Sequence, residues 1–207
     1  SFPTRCSSDL IEGLLQNSVF LDSTSLDVES PQSDLTLRYT TNGENPTLQS
    51  PVLDHQVTIK ESATYKIAAF NQKGLRGDVF TSEYRKTTLQ PAVMVKRDYT
   101  GLNVQYFEGH FKSVLALNNV KPQLKWNQPD LTVDQTKAKA GSFGLLYNGV
   151  ISVPEDGIYT FYLTADDGAN LTIARQLVID NDGLHSAKEK DGQIALQKGS
   201  HFFQLAF

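Results

Sequence analysis

Residues 148–171 read NGVISVPEDGIYTFYLTADDGANL, and the reading of this stretch decides the fold. From Ile158 to Ala165 the side chains alternate, with Tyr159, Phe161 and Leu163 on one face and Thr160 and Thr164 on the other. Successive residues of a strand point to opposite faces, so a period of two predicts a half-buried β-strand. Pro154-Glu155-Asp156-Gly157 before it and Asp166-Asp167-Gly168 after it are turn chemistry. Proline presets φ, glycine tolerates positive φ, and Asp side chains bond nearby backbone. A further strand, Tyr147–Val153, leads into the first turn.

Outward from this stretch the same period recurs. Asn103–Gly109 carries Val104 and Tyr106 on one face, and Leu171–Ile173, Leu177–Ile179, Ile194–Leu196 and Phe202–Phe207 complete one set of strands. Upstream, Leu35, Leu37 and Tyr39 alternate with Thr36, Arg38 and Thr40. Val57 and Ile59 alternate with Thr58 and Lys60, and Tyr65, Ile67 and Ala69 with Lys66, Ala68 and Phe70. Asn42-Gly43-Glu44-Asn45-Pro46 and Gln72-Lys73-Gly74 separate these runs as turns. The polar run Lys86-Thr87-Thr88-Leu89-Gln90-Pro91 divides the two groups. No long amphipathic helix is apparent. The expected fold is all-β, two tandem antiparallel β-sandwich modules over 11–86 and 96–207, with a linker at 87–95. The second module is expected to be truncated at its C-terminal end, because the chain stops inside a strand.

Composition sets the outer bounds. The 207 residues hold 19 Lys and Arg against 23 Asp and Glu, a formal charge of −4, which argues against a nucleic-acid binder. With 39% hydrophobic and 20% charged residues the chain is too apolar for a disordered protein. No apolar run reaches the ~20 residues of a membrane span. A (β/α)₈ catalytic barrel needs about 250 residues and does not fit. The opening Ser1–Leu10 resembles a translated sequencing adapter, with Cys6 where the adapter peptide has Arg. Set aside as a scar, it removes the single cysteine and leaves an expected internal piece of a longer protein.

Two resemblances follow from these residues. Leu37-Arg38-Tyr39-Thr40-Thr41-Asn42-Gly43-Glu44-Asn45-Pro46-Thr47, then Ser50 and Ala68-Ala69-Phe70, resemble the C-terminal sandwich domain of chitobiases and β-hexosaminidases. Asn42 stands there for the usual Asp, a mild exchange in a tight turn. The resemblance implies a structural or accessory role. From Gly101 onward the chain resembles the protective-antigen-type β-sandwich of toxins, adhesins and glycosidases. The motifs are Gly101–Gly109, Asn148–Phe161, Thr164–Leu171 and Lys198-Gly199-Ser200-His201. One departure is Ala174-Arg175, where that family has Asp-Gly to supply positive φ in a two-residue hairpin. Either that turn is distorted or the sequence read contains an error there.

Asp166 and Asp167 are the leading site residues, as carbohydrate contacts and metal ligands. In fungal adhesin relatives the matching pair, joined by a cis peptide, holds Ca²⁺ beside a sugar's hydroxyls. Ca²⁺ takes six to eight hard oxygen ligands, so two acids need partners from a later loop. The same Asp-Asp-Gly also reads simply as a turn after a strand. Trp126, the single tryptophan, is a second carbohydrate-binding candidate, since an indole stacks on a sugar face and its N–H reaches a hydroxyl. A lone tryptophan also reads as a core or rim residue of a sandwich. Asn181-Asp182-Gly183 and His185 form a polar loop after the Leu177–Ile179 strand, either near the acids or a solvated hairpin end, and the second reading is favoured.

No catalytic constellation is found: the four histidines lack metal-ligand spacing, and no nucleophile elbow or P-loop occurs. The resemblances imply a non-catalytic accessory and carbohydrate-binding region of a secreted, periplasmic or cell-surface bacterial glycoside hydrolase, with a β-N-acetylhexosaminidase as parent. Its partners would be a glycan and the parent's catalytic domain. The alternative is a calcium-dependent lectin module of an adhesin.

Overall fold

Alternating runs become strands wherever the sequence places them. A computed structural model of the chain describes residues 17–28, 32–54, 56–95, 101–134, 136–138 and 141–207. The adapter-like residues 1–10 and His55 lie outside the described residues. The chain divides after Thr88 into two compact units.

In the first unit, β1 (Asn17–Phe20), β6 (Arg76–Lys86), β5 (Ala63–Phe70) and β3 (Thr36–Thr40) form one sheet in that order. A second sheet pairs β2 (Thr24–Asp27) with β4 (Gln56–Ile59). All pairs are antiparallel except β1 with β6. The inward residues of the alternating runs form the core: Leu26, Leu37, Ile59, Tyr65, Ile67 and Ala69, joined by Phe20 and Tyr84. Ala68 and Phe70, expected on the outer face, are buried as well, at 0% and 4% exposure. β5 is an inner strand, and Arg38 and Val79 flank Ala68 across the two ladders, which covers its second face.

The second unit holds β7 (Leu102–Glu108), β8 (Leu124–Gln128), β9 (Phe143–Val153), β10 (Gly157–Ala165), β11 (Ala169–Ile173), β12 (Gln176–Asn181), β13 (Lys188–Leu196) and β14 (Gly199–Ala206). A short 3₁₀ helix spans Val114–Asn119. Six strands pair in the order β12-β11-β14-β9-β7-β8, and β10 pairs with β13 in a separate ribbon. Tyr159 and Phe161 of the ribbon pack with Val153, Ile173, Ile194 and Leu196, as the alternation of residues 158–165 requires. β14 is an inner strand, bonded to β11 and β9, and Phe207 exchanges both backbone hydrogen bonds with Leu145. Residues 89–93, inside the expected linker, pair with the second unit: Gln90 bridges Leu196 and Val93 bridges Ser200.

The Ala174-Arg175 turn is not distorted. Ile173 pairs with Gln176, and the two turn residues take φ of 48° and 66°. Register demands a two-residue turn with both central φ positive, so Ala and Arg enter a region normally left to Gly and Asn. The left-handed conformation costs roughly 1–2 kcal/mol per such residue.

Candidate functional site

Strand register brings the two acids and the polar loop together. Asp166-Asp167-Gly168 connects β10 to β11, while residues 182–187 connect β12 to β13. The last pair of the ribbon is Ala165 with Lys188, and the first pair of the hairpin is Ala169 with Asn181. Both loops therefore leave the sheets at the same end and face each other. The Asp166–Asp167 peptide is cis.

Gly168 is the point of closest approach. A Cβ there would lie 2.6 Å from the backbone nitrogen and 2.8 Å from the carbonyl oxygen of Gly183, and 3.0 Å from Asp182 Oδ1. Neither backbone atom has room to yield, so no larger residue fits. The backbone N–H of His185 donates to Asp167 Oδ1 at 3.2 Å. The His185 ring spans two carbonyls, Nε2 against Asn181 at 3.0 Å and Nδ1 against Ser186 at 2.9 Å. Only the imidazolium carries an N–H on both nitrogens. The two carbonyl bonds, that of Asn181 first, hold the ring's pKa above the usual histidine value.

Asp182 joins this loop to a distant element. Its Oδ1 accepts from Val114 N–H at 2.8 Å and from Gly183 N–H at 2.8 Å, and its Oδ2 accepts the Ser113 hydroxyl. Ser113 is the N-cap of the 3₁₀ helix, and its Oγ also accepts from Leu115 N–H. The first N–H groups of a helix lack intrahelical acceptors, and a carboxylate there satisfies them and complements the helix dipole. Burial pushes the Asp182 carboxyl up, but the Ser113, Val114 and Gly183 bonds outweigh it and leave the pKa below the ordinary value.

These elements enclose a cleft of about 540 Å³. Its lining includes Asp166, Asp167 and Asp182 together with the aromatic residues Phe111, Phe143 and Phe207. His110 and Lys112 add the basic groups of the lining. The volume lies within the ~300–1,000 Å³ usual for small-ligand sites. A carboxylate accepts hydroxyl hydrogen bonds strongly, while an aromatic face accepts the apolar face of a ring. The lining thus offers both acceptors for hydroxyl groups and aromatic surface for C–H groups.

Trp126 is placed elsewhere. It lies on β8, the last strand of the six-stranded sheet, paired with Val104 and packed against the core around Tyr106 and Tyr147. Its indole N–H donates to Gln128 Oε1 at 2.7 Å, and the Lys137 ammonium stands 5.2 Å from the ring centre. The two features a sugar would use are engaged within the protein, and Trp126 does not line the cleft. Glu155-Asp156 also serves a turn, with Asp156 Oδ1 accepting from Lys198 N–H at 2.6 Å.

Both oxygens of Asp182, the third acid of the cleft, are engaged by N–H and O–H donors. Two buried amide oxygens without a protein partner, Asn170 Oδ1 and Asn181 Oδ1, belong to residues that do not line the cleft. Among the described residues no group of three or more His, Cys, Asp or Glu could hold a metal ion.

The polar loop 181–185, read from sequence as a solvated hairpin end, is thus one wall of the cleft. Counting pairs back from the two-residue turn at 174–175 would have brought its first residue, Asn181, level with Gly168, and the register shift at Leu171/Thr172 advances the pairing by one more residue. Ser113, Phe111 and Phe143 carried no such local signal.

The architecture is that of an all-β protein of two modules, the second a β-sandwich. The model of the PA14 domain matches residues 98–202, and the chain belongs to that family. The model of the chitobiase/β-hexosaminidase C-terminal domain matches residues 16–81. Domains of these two kinds are typical of accessory and carbohydrate-binding regions of glycoside hydrolases, and the chitobiase C-terminal domain is a non-catalytic one. No curated protein matches the chain.

Among solved structures, the PA14 domain of the MpAFP antifreeze protein is similar at 17% identity and a TM-score of 0.46, over 56% of this chain and 79% of that one. A β-glucosidase from Kluyveromyces marxianus in complex with glucose is similar at 14% identity and 0.40, over 61% of this chain and 18% of that one. A GH31 α-xylosidase from Xanthomonas citri is similar at 16% identity and 0.38, over 89% and 22%. No helix among the described residues is long and apolar enough to cross a membrane.

Proposed function

We propose that the chain is a non-catalytic, carbohydrate-binding accessory region of a secreted glycoside hydrolase, with a β-N-acetylhexosaminidase as the parent enzyme. One observation carries this reading: Asp166 and Asp167 line the same cleft of the second unit as the aromatic residues Phe111 and Phe143. The carboxylates accept hydroxyl hydrogen bonds from a sugar, and Phe111 and Phe143 receive its apolar face. The first unit serves as a rigid spacer. Tethering raises the concentration of substrate at a catalytic neighbour, so even weak capture is useful.

Titration of the chain with N,N′-diacetylchitobiose by calorimetry tests the reading. Saturable binding that is lost in the Asp166→Asn/Asp167→Asn double variant supports it. Turnover of a nitrophenyl glycoside by the chain alone contradicts it, as does absence of binding to that disaccharide and to a panel of other neutral oligosaccharides.

A further inference from the structure

We propose a second carbohydrate-binding surface on the second unit: the open half of the outer face of its six-stranded sheet, which takes an extended, uncharged polysaccharide laid across the strands. It shares no residue with the cleft and depends on neither acid of the 166–168 turn. Backbone register carries the inference. Thr172 on β11 pairs with Gln204 on β14, Gln204 with Asn148 on β9, Asn148 with Asn103 on β7, and Asn103 with Asn127 on β8. Directly paired residues of neighbouring strands point to the same face, so these five side chains form one row. Adjacent strands lie ~4.8 Å apart, and five strands give the row a length of about 19 Å.

The row is not what the fold asks for. Asparagine is depleted from strands, because its short amide competes for nearby backbone groups. Yet an asparagine stands within each of β7, β8 and β9 at the same register. The alternate positions Leu102, Val104 and Tyr147 build the core on the inner face, so the amides are not needed there. Asn103 and Asn127 are exposed, and Thr172, Asn148 and Gln204 are half-buried. Gln204 Nε2 donates to Asn148 Oδ1 at 3.0 Å, which uses a small part of what four amides can bond. The rest of the face has other duties. Leu146 and Ala206, the next outward pair along β9 and β14, pack with Val114 and Leu117 of the 3₁₀ helix. On the far side of the row the next outward pair is Val150 with Phe202, and Phe202 is 47% exposed.

This chemistry selects the occupant. An amide presents N–H donors and a carbonyl acceptor side by side. Hydroxyl and acetamido groups also both donate and accept, so a polymer that repeats them satisfies the row along its length. Phe202 and Val150 offer apolar surface to C–H groups at its border. Charge complementarity points the same way. No member of the row is ionisable, so a carboxylated or phosphorylated polymer gains no ion pair from it. A protein partner fits less well, because the centre of a protein interface is apolar and aromatic, whereas this face is amide at its centre.

The test follows the side-chain NH₂ signals of Asn103, Asn127, Asn148 and Gln204 by nuclear magnetic resonance as chitohexaose is added. The chain used is Asp166→Asn/Asp167→Asn, which lacks both carboxylates of the cleft turn. The expected result is saturable shifts at these four signals, with N,N′-diacetylchitobiose weaker there by about tenfold or more, since it is shorter than the row. Asn103→Thr/Asn127→Thr removes two amides and puts strand-favouring residues in their place. Its affinity for the hexasaccharide should fall about tenfold, with thermal stability no lower than that of the parent chain. A loss of stability without a loss of affinity would make the amides structural and overturn the proposal. So would an absence of shifts at the row with chitohexaose and with cellohexaose. Dimerisation that the threonine variant abolishes would assign the face to a second copy of the chain, and overturns it as well. Failure of the disaccharide at the cleft while the row responds counts against the cleft reading alone.

Discussion

The polar turn after β3 in the first unit and the 166–168 turn in the second treat their hydrogen-bonding capacity in opposite ways. In the first unit the turn after β3 bonds to itself. Asn42 Oδ1 accepts from Glu44 N–H at 3.1 Å, Thr40 Oγ1 donates to the Glu44 carbonyl at 2.5 Å, and Ser50 Oγ accepts from Thr47 N–H at 2.9 Å. In the second unit the acids of the 166–168 turn line the cleft, with Asp167 Oδ1 accepting from His185 N–H, while Asp182 carries the bonds to Ser113 and Val114. Local closure marks a turn that shapes the chain. Acceptors turned toward a cavity mark a surface that has work left for a ligand. Motif likeness alone would not separate them, since both are acidic or amide-rich turns ending in glycine or proline.

The comparison breaks most readily at Gly168. Gly168→Ala places a methyl group against the Gly183 backbone, and the second unit is expected to lose about 3 kcal/mol by the usual cost of overpacking. Chemical denaturation followed by tyrosine and tryptophan fluorescence would show it. A variant as stable as the parent chain would mean the two loops are not in contact.

Asp182→Ala ranks next. It removes charge-assisted bonds to Ser113 and Val114, at an expected cost of about 2 kcal/mol. The pH dependence has a definite sign. The folded pKa lies below the ordinary 3.8, so the contribution is complete above that value and is lost as pH falls through the depressed one. Parent and variant should therefore converge in stability under acid.

The hairpin at 174–175 sharpens the comparison from the other end of β11. Replacing Ala174-Arg175 by Asn-Gly relieves two left-handed residues and should stabilise the second unit by roughly 1–2 kcal/mol, with no change in sugar binding. In the first unit, Asn42→Ala should cost about 1 kcal/mol through its lost turn bond. It too should leave sugar binding unchanged, as a self-satisfied turn requires.

The smallest effect belongs to His185. Its raised pKa means that the clip between the Asn181 and Ser186 carbonyls is fully present below the ordinary 6.5 and lost as pH rises through the folded value. Asp167 favours the charged ring and Lys188 opposes it. Hydrogen exchange of the 182–188 amides, corrected for intrinsic rates, should slow at the lower pH.

Much of this was legible in the sequence because its signals are local. The alternation of residues 158–165 placed Tyr159 and Phe161 on the core, and Asp166-Asp167-Gly168 announced a turn. The partners of that turn were not legible, because they depend on contacts far apart in the chain. Asp182 reaches Ser113 across 69 positions, and no periodicity reports such a bond. Ala174-Arg175 misled for a related reason: register imposes positive φ there against the preference of both residues. Ala68 and Phe70 fell on the expected outer face, yet both are buried, Ala68 between Arg38 and Val79 of the two neighbouring strands.

The most direct test of the central claim is a map of amide chemical shifts as N,N′-diacetylchitobiose is added to the chain. The account predicts shifts at residues 109–114, 142–144, 166–168 and 182–185, and a quiet first unit. Shifts centred on residues 39–51 of the first unit, or on Trp126, with the 166–168 turn unmoved, would contradict it.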